Sequence, residues 1–142
     1  MEYILPELYE EIIVPEKVWE EISAGKPNDA AKQKLPQLFW AKRTLVESSN
    51  EAVERYNLGK GETAVLDIAL TISESRVLLD DYAARKSAKA LGIPALGTGG
   101  LLILAKQQNL IPSVTKALEK VQDAGLWLSN EIIELIKEKA GE

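Results

Sequence analysis

The chain of 142 residues has no cysteine and no histidine. Without cysteine there can be no disulfide and no thiolate metal ligand. Without histidine there is no Ser-His-Asp triad, no Cys-His pair and no imidazole-bound zinc. Any catalysis falls to carboxylates, Lys, Arg, Tyr, Ser or Thr, or to a bound ion. A metal held by such groups is a hard cation on oxygen ligands, Mg²⁺ or Mn²⁺. No apolar run reaches about 18 residues, so no membrane span is expected. The opening MEYILPELYEE lacks a basic n-region and a long apolar core, which argues against a secretory signal and for a cytoplasmic location. The three tryptophans are far apart and suggest core or rim positions, not a base-stacking platform.

Hydrophobic residues make up 46% of the chain, which points to a globular fold. The length suits one domain, residues 1–142, with a sizeable core. The net charge of −5 argues mildly against tight non-specific nucleic-acid binding, which needs a basic surface. It leaves room for local basic residues around an acidic site.

Taken in order, Ile4, Leu5, Leu8 and Tyr9 are spaced as a helix end, with Pro6 in its first turn. Ile12-Ile13-Val14, closed by Pro15, predicts a strand. Pro15 then opens a helix with Val18, Trp19 and Ile22 as its stripe. Asp29 is placed to cap a helix running to about Gln37. Phe39 to Val46 predicts a strand ended by Ser48-Ser49-Asn50, and Asn50 to Tyr56 a short helix. In GETAVLDIALTIS, Val65, Ile68, Ala69 and Ile72 mark one helical face. Glu62 falls in the first turn near that face, and Asp67, rotated away from Glu62, is expected to face water.

The stretch RVLLDDYAARKSAKALGIPALGTGGLLILA organises the rest. Val77-Leu78-Leu79 ends in Asp80 and Asp81, a helical pattern runs to Gly92, Ile93–Leu96 follows, and Gly97-Thr98-Gly99-Gly100 leads into another helix. Strand–helix–strand–helix is the repeat of a parallel sheet covered by helices, an α/β fold. Two further helices are expected, one from Pro112-Ser113 to Gly125 and one from Ser129. Leu126-Trp127-Leu128 between them reads as a short strand or an extended link.

Ligands of such sheets gather beyond the carboxyl ends of the strands, where Asp80 and Asp81 stand. If the fold brings Glu62 to them, three carboxylates converge on one hard cation that could activate water beside a phosphate. Plainer readings stand alongside. An acid in a first helical turn is favoured by the helix dipole in any case. Asp81 is equally placed to cap the next helix, and Arg85 to pair with it four residues on. The GTGG run lacks the P-loop lysine and the GxGxxG spacing, and close helix–strand packing explains it better than phosphate binding.

The segments EIIVPEKVWEEI, GKGETAVLDIAL and LLDDYAARKSAKALGIPALGTGGLLILAKQQNLIP resemble a prokaryotic, VapC-toxin-like family of PIN-like proteins. That family carries a GEAEAI-like helix start, an IDDKAAR-like strand end and a GTLGVL-like turn. The resemblance covers nearly the whole chain. It implies a three-layer α/β/α domain with a mainly parallel sheet, and a Mg²⁺- or Mn²⁺-dependent endoribonuclease. It further implies the toxin of a toxin–antitoxin pair, acting on single-stranded RNA, with an antitoxin protein or a second copy as partner. By position, Glu62, Asp80 and Asp81 match the family's catalytic and metal-binding acids, with Asp81 the better match in its pair. Arg85, Lys86 and Thr98 become the candidates for substrate binding. One departure stands out. The family's first, central strand, ending in an acid, has no counterpart here, and Met1 falls where the first helix is ending. A start assigned too late, a disrupted gene, or a strand supplied by another chain would each account for it. The alternative to an enzyme is a non-catalytic interaction module.

Overall fold

β-Branched residues and a proline set the first strand. A computed structural model describes residues 3–46 and 49–142. After a short helix, α1 (Ile4–Leu8), the chain enters β1 (Ile12–Pro15). Pro15 is the last strand residue and the N-cap of α2 (Glu16–Ser23), one position earlier than the N1 place expected of it. Asp29 caps α3 (Ala30–Lys34), its carboxylate accepting from the amides of Ala31 at 2.8 Å and Lys32 at 3.3 Å. A 3₁₀ turn, Leu35–Gln37, carries the chain on to β2 (Ala41–Thr44). β2 is shorter than the Phe39–Val46 strand expected. Phe39 and Trp40 lie instead in a turn closed by the Ala41 amide on the Leu38 carbonyl at 3.1 Å. Ser48 lies outside the described residues.

Asn50 caps α4 (Glu51–Glu54), and α5 (Lys60–Thr71) follows. Then come β3 (Val77–Leu78), α6 (Tyr82–Ala90) and β4 (Ala95–Leu96). β1 pairs with β2 in parallel, Ile12 opposite Ala41. β3 pairs with β4 in parallel, Val77 opposite Ala95. The α/β pattern with parallel pairing is therefore present, but among the described residues it takes the form of two separate two-stranded sheets. The amides of Val77 and Leu79 donate to Pro94 and Leu96 on the β4 side, both at 2.9 Å. Strand alternation turns the Leu78 peptide groups to the opposite edge, which pairs with no strand among the described residues.

α5 packs against both β1 and β3, and also against α2 and α4. A helix so enclosed is buried on more than one side. Ala64, Leu66 and Ala69 are buried, and so is Asp67, which is only 6% exposed. The expectation that Asp67 faces water is wrong. α4 covers that side of α5, and Asp67 accepts from the Asn50 amide at 2.9 Å. Rotation from Glu62 gives the angle correctly but cannot say that a second layer lies there. The core around α5 joins Val53, Leu66, Val77, Leu79, Ala84, Ala88 and Ile93. Each large side chain buried here contributes about 1.5–3 kcal/mol.

The chain divides into two compact units, one ending at Leu96 and the other Gly97–Glu142. The second holds α7 (Thr98–Gln107), α8 (Val114–Asp123) and α9 (Asn130–Lys139), each packed on the other two. α8 and α9 are capped by Ser113 and Ser129, as their sequences predict. Leu126–Leu128 forms no strand. Gly99 lies inside α7, where an added Cβ would stand 2.6 Å from Cδ1 of Ile136 on α9. Gly99 thus serves close helix–helix packing, where helix–strand packing was expected.

Candidate functional site

The carboxyl end of β3 and the amino end of α5 carry the acids singled out in the sequence. Leu79, just past β3, is buried, and Asp80 and Asp81 leave the core for an exposed turn. Asp81 is the N-cap of α6, its Oδ2 accepting from the Ala84 amide at 2.9 Å. Ala84 is fully buried, which ties this cap to the core. The Arg85 guanidinium turns back across the strand end. It donates to the carbonyl of Leu79 at 3.0 Å and to that of Asp80 at 2.6 Å. Arg85 is thus a clamp on the backbone that presents the two acids, and no side-chain pair with Asp81 is needed to explain it. Lys86, beside it on α6, is exposed. Thr98 is the first residue of α7 in the second unit.

Glu62 occupies the first turn of α5, as expected. Its carboxylate folds back over Gly59, into the space a Cβ there would need. A second acid reaches the same helix end. Glu21, on α2, accepts from the Gly61 amide at 3.0 Å. Its other oxygen would stand 2.7 Å from a Cβ at Gly61. Glu21 escaped the sequence reading because it lies 40 residues before its partner. The available signal was Gly61 itself, since a glycine in a first helical turn often marks a close approach.

These acids are hard oxygen donors and suit Mg²⁺ or Mn²⁺ in kind. Their placement does not suit a three-carboxylate centre. Among the described residues, no group of three or more His, Cys, Asp or Glu side chains is placed to hold a metal ion. The Asp81 carboxylate is already engaged as a cap. One open cleft of about 450 Å³ lies elsewhere in the first unit, lined by Ile13, Thr44, Asn50, Asp67, Ile68 and Thr71 among others, and by none of Glu62, Asp80 or Asp81. No helix among the described residues is long and apolar enough to cross a membrane.

A family model described as a PIN domain matches residues 3–142. The chain belongs to the PIN-domain family, the class its sequence motifs resemble. No curated protein and no solved structure matches it.

Proposed function

We propose that this chain is a PIN-type endoribonuclease, Mg²⁺- or Mn²⁺-dependent, that acts on single-stranded RNA as the toxin of a toxin–antitoxin pair in the cytoplasm. The observation that carries the reading is the pair Asp80–Asp81 at the carboxyl end of a parallel strand, in a chain the PIN family spans from residue 3 to 142. Glu62 is the third acid, Lys86 an exposed cation that can meet a phosphate, and Arg85 the clamp on the strand end. Thr98 is retained as a substrate contact. Both compact units belong to the one PIN domain, a reading supported by the extent of the family match.

The acids gather when a further strand pairs with the open edge of β3 and joins the two parallel pairs into one sheet. Unpaired backbone edges favour such an addition. The direct test is incubation with single-stranded RNA in Mg²⁺ or Mn²⁺. Cleavage is expected to stop on chelation and in Asp81→Asn; cleavage untouched by that substitution would remove Asp81 from the site.

A second reading is favoured by the engaged Asp81 cap and the open β3 edge. On this reading the chain is a non-catalytic interaction module that binds an antitoxin-like protein or its own copy. It requires self-association or partner capture, measured by light scattering, with no RNA cleavage under any divalent ion. A strictly monomeric, well-folded chain that binds no partner would end it.

A further inference from the structure

Positive charge is unevenly placed in this acidic chain. Between residues 26 and 43 stand Lys26, Lys32, Lys34, Lys42 and Arg43, against one acid, Asp29, while the whole chain has 17 basic and 22 acidic residues. Asp29 is exposed, and its carboxylate is engaged as the cap of α3. Arg43 is held by both carboxylate oxygens of Glu16 and lies over the Trp19 ring, 4.8 Å from its centroid. The Lys32 ammonium donates to the Gly25 carbonyl at 3.0 Å. Lys26, Lys34 and Lys42 are exposed residues. Lys42 meets Glu11 only at 3.6 Å, with both side chains more than half exposed, a pairing that water and salt screen strongly.

In the middle of this strip is Phe39, 97% exposed. The Leu38–Ala41 turn holds it out of β2. Single exposed apolar residues are common and need no explanation by themselves. A phenyl ring presented on a closed turn, with exposed Lys34 five residues before it and exposed Lys42 three residues after it in the chain, is a different arrangement. It combines the two elements that single-stranded nucleic acid uses: a π-face on which an unstacked base can lie, and cations along the phosphate path. A duplex keeps its bases stacked on each other and has no use for the ring. The surplus of acidic residues elsewhere in the chain disfavours a polyanion there.

We propose that the segment from Lys26 to Arg43 is a docking surface for single-stranded RNA, with Phe39 stacking on a base and Lys26, Lys34 and Lys42 contacting phosphates. This rests on the ribonuclease reading and adds to it a place where substrate is held away from the acids. The test is fluorescence anisotropy of a labelled oligouridylate of roughly 12 nucleotides, with divalent ions chelated so that nothing is cut. Phe39→Ala is expected to weaken binding at least about fivefold, and Phe39→Tyr to retain it. Lys34→Glu with Lys42→Glu should weaken binding at low salt and flatten its salt dependence. Phe39 makes no core contact, so an unchanged melting temperature verifies that Phe39→Ala remains folded.

Affinity unaltered by Phe39→Ala, or duplex RNA bound as tightly as single strands, overturns the proposal. So does Phe39-dependent binding of a Glu-rich peptide with none of the oligonucleotide, which would make this a protein-docking surface. The two readings fail separately. If Phe39→Ala binds normally while the wild type cleaves RNA, only the docking surface is lost. If RNA binds through Phe39 but is never cleaved with Mg²⁺ or Mn²⁺, only the nuclease is lost.

Discussion

Asp81 has two roles to reconcile in one carboxylate. It caps α6 now, and the PIN reading also asks it to serve a cation. Substitution can separate them, because Asn caps a helix about as well as Asp whereas Ala does not. Asp81→Asn should leave the melting temperature nearly unchanged and abolish metal-dependent RNA cleavage. Asp81→Ala should lose the same activity and about 1 kcal/mol of stability, measured by urea denaturation. If Asn costs as much stability as Ala, the charge and not the hydrogen bond holds the turn. Asp81's cap could be read from the run of Ala and Arg after two acids. The Arg85 contacts could not, since they depend on how sharply the chain leaves β3. Asp67 and Glu21 were illegible for a related reason: each finds its partner across a helix interface that no local pattern encodes.

Among elements, the local signals of start and stop were reliable. Helices begin immediately after Asp29, Asn50, Ser113 and Ser129, where the sequence puts their starts, and each of these residues is the cap, because a cap is settled within about three residues. Strand extents were less legible. The apolar run through Phe39 and Trp40 satisfies strand propensity, yet the Leu38–Ala41 turn takes both residues out of the ladder. The glycines of GTGG were expected to serve helix–strand packing, and Gly99 instead lets α7 approach α9, a helix–helix contact. Gly99→Ala should destabilise the helical unit by about 1–3 kcal/mol, because Ile136 is buried and has little room to retreat. Denaturant unfolding followed by circular dichroism measures it. If instead the glycines cradled phosphate, the substitution would leave stability intact and reduce only ligand binding.

Across the whole chain, the last residue ties the helical unit together. The Glu142 carboxylate accepts from the Val114 amide at 2.7 Å, the Thr115 amide at 3.1 Å, the Ser113 hydroxyl and the Lys106 ammonium, each of the last two at 2.9 Å. Lys106 first, then Thr115 and the Val114 amide, hold its carboxyl well below the usual carboxylate range. A depressed folded value means the contribution is complete above the ordinary value of 4.5 and is lost as the pH falls below it. Urea unfolding followed from about pH 7 to about pH 3 should therefore show an acid-sensitive component that Glu142→Gln removes. An identical pH profile for that variant would mean the contact adds nothing in solution.

The sequence by itself determined the α/β class, a parallel strand pairing and most helix boundaries, which follow from short-range rules: apolar periodicity, caps and turn residues acting over a few positions. The PIN-family likeness is legible in the sequence too, but as a resemblance of whole motifs and not as a consequence of those rules. Only the tertiary structure decided that α5 is enclosed on several sides, that Phe39 stands in water, and that the strands form two pairs with an open edge at Leu78. Such outcomes depend on which distant surfaces meet and on which backbone groups find a partner, and no single stretch of chain carries that information.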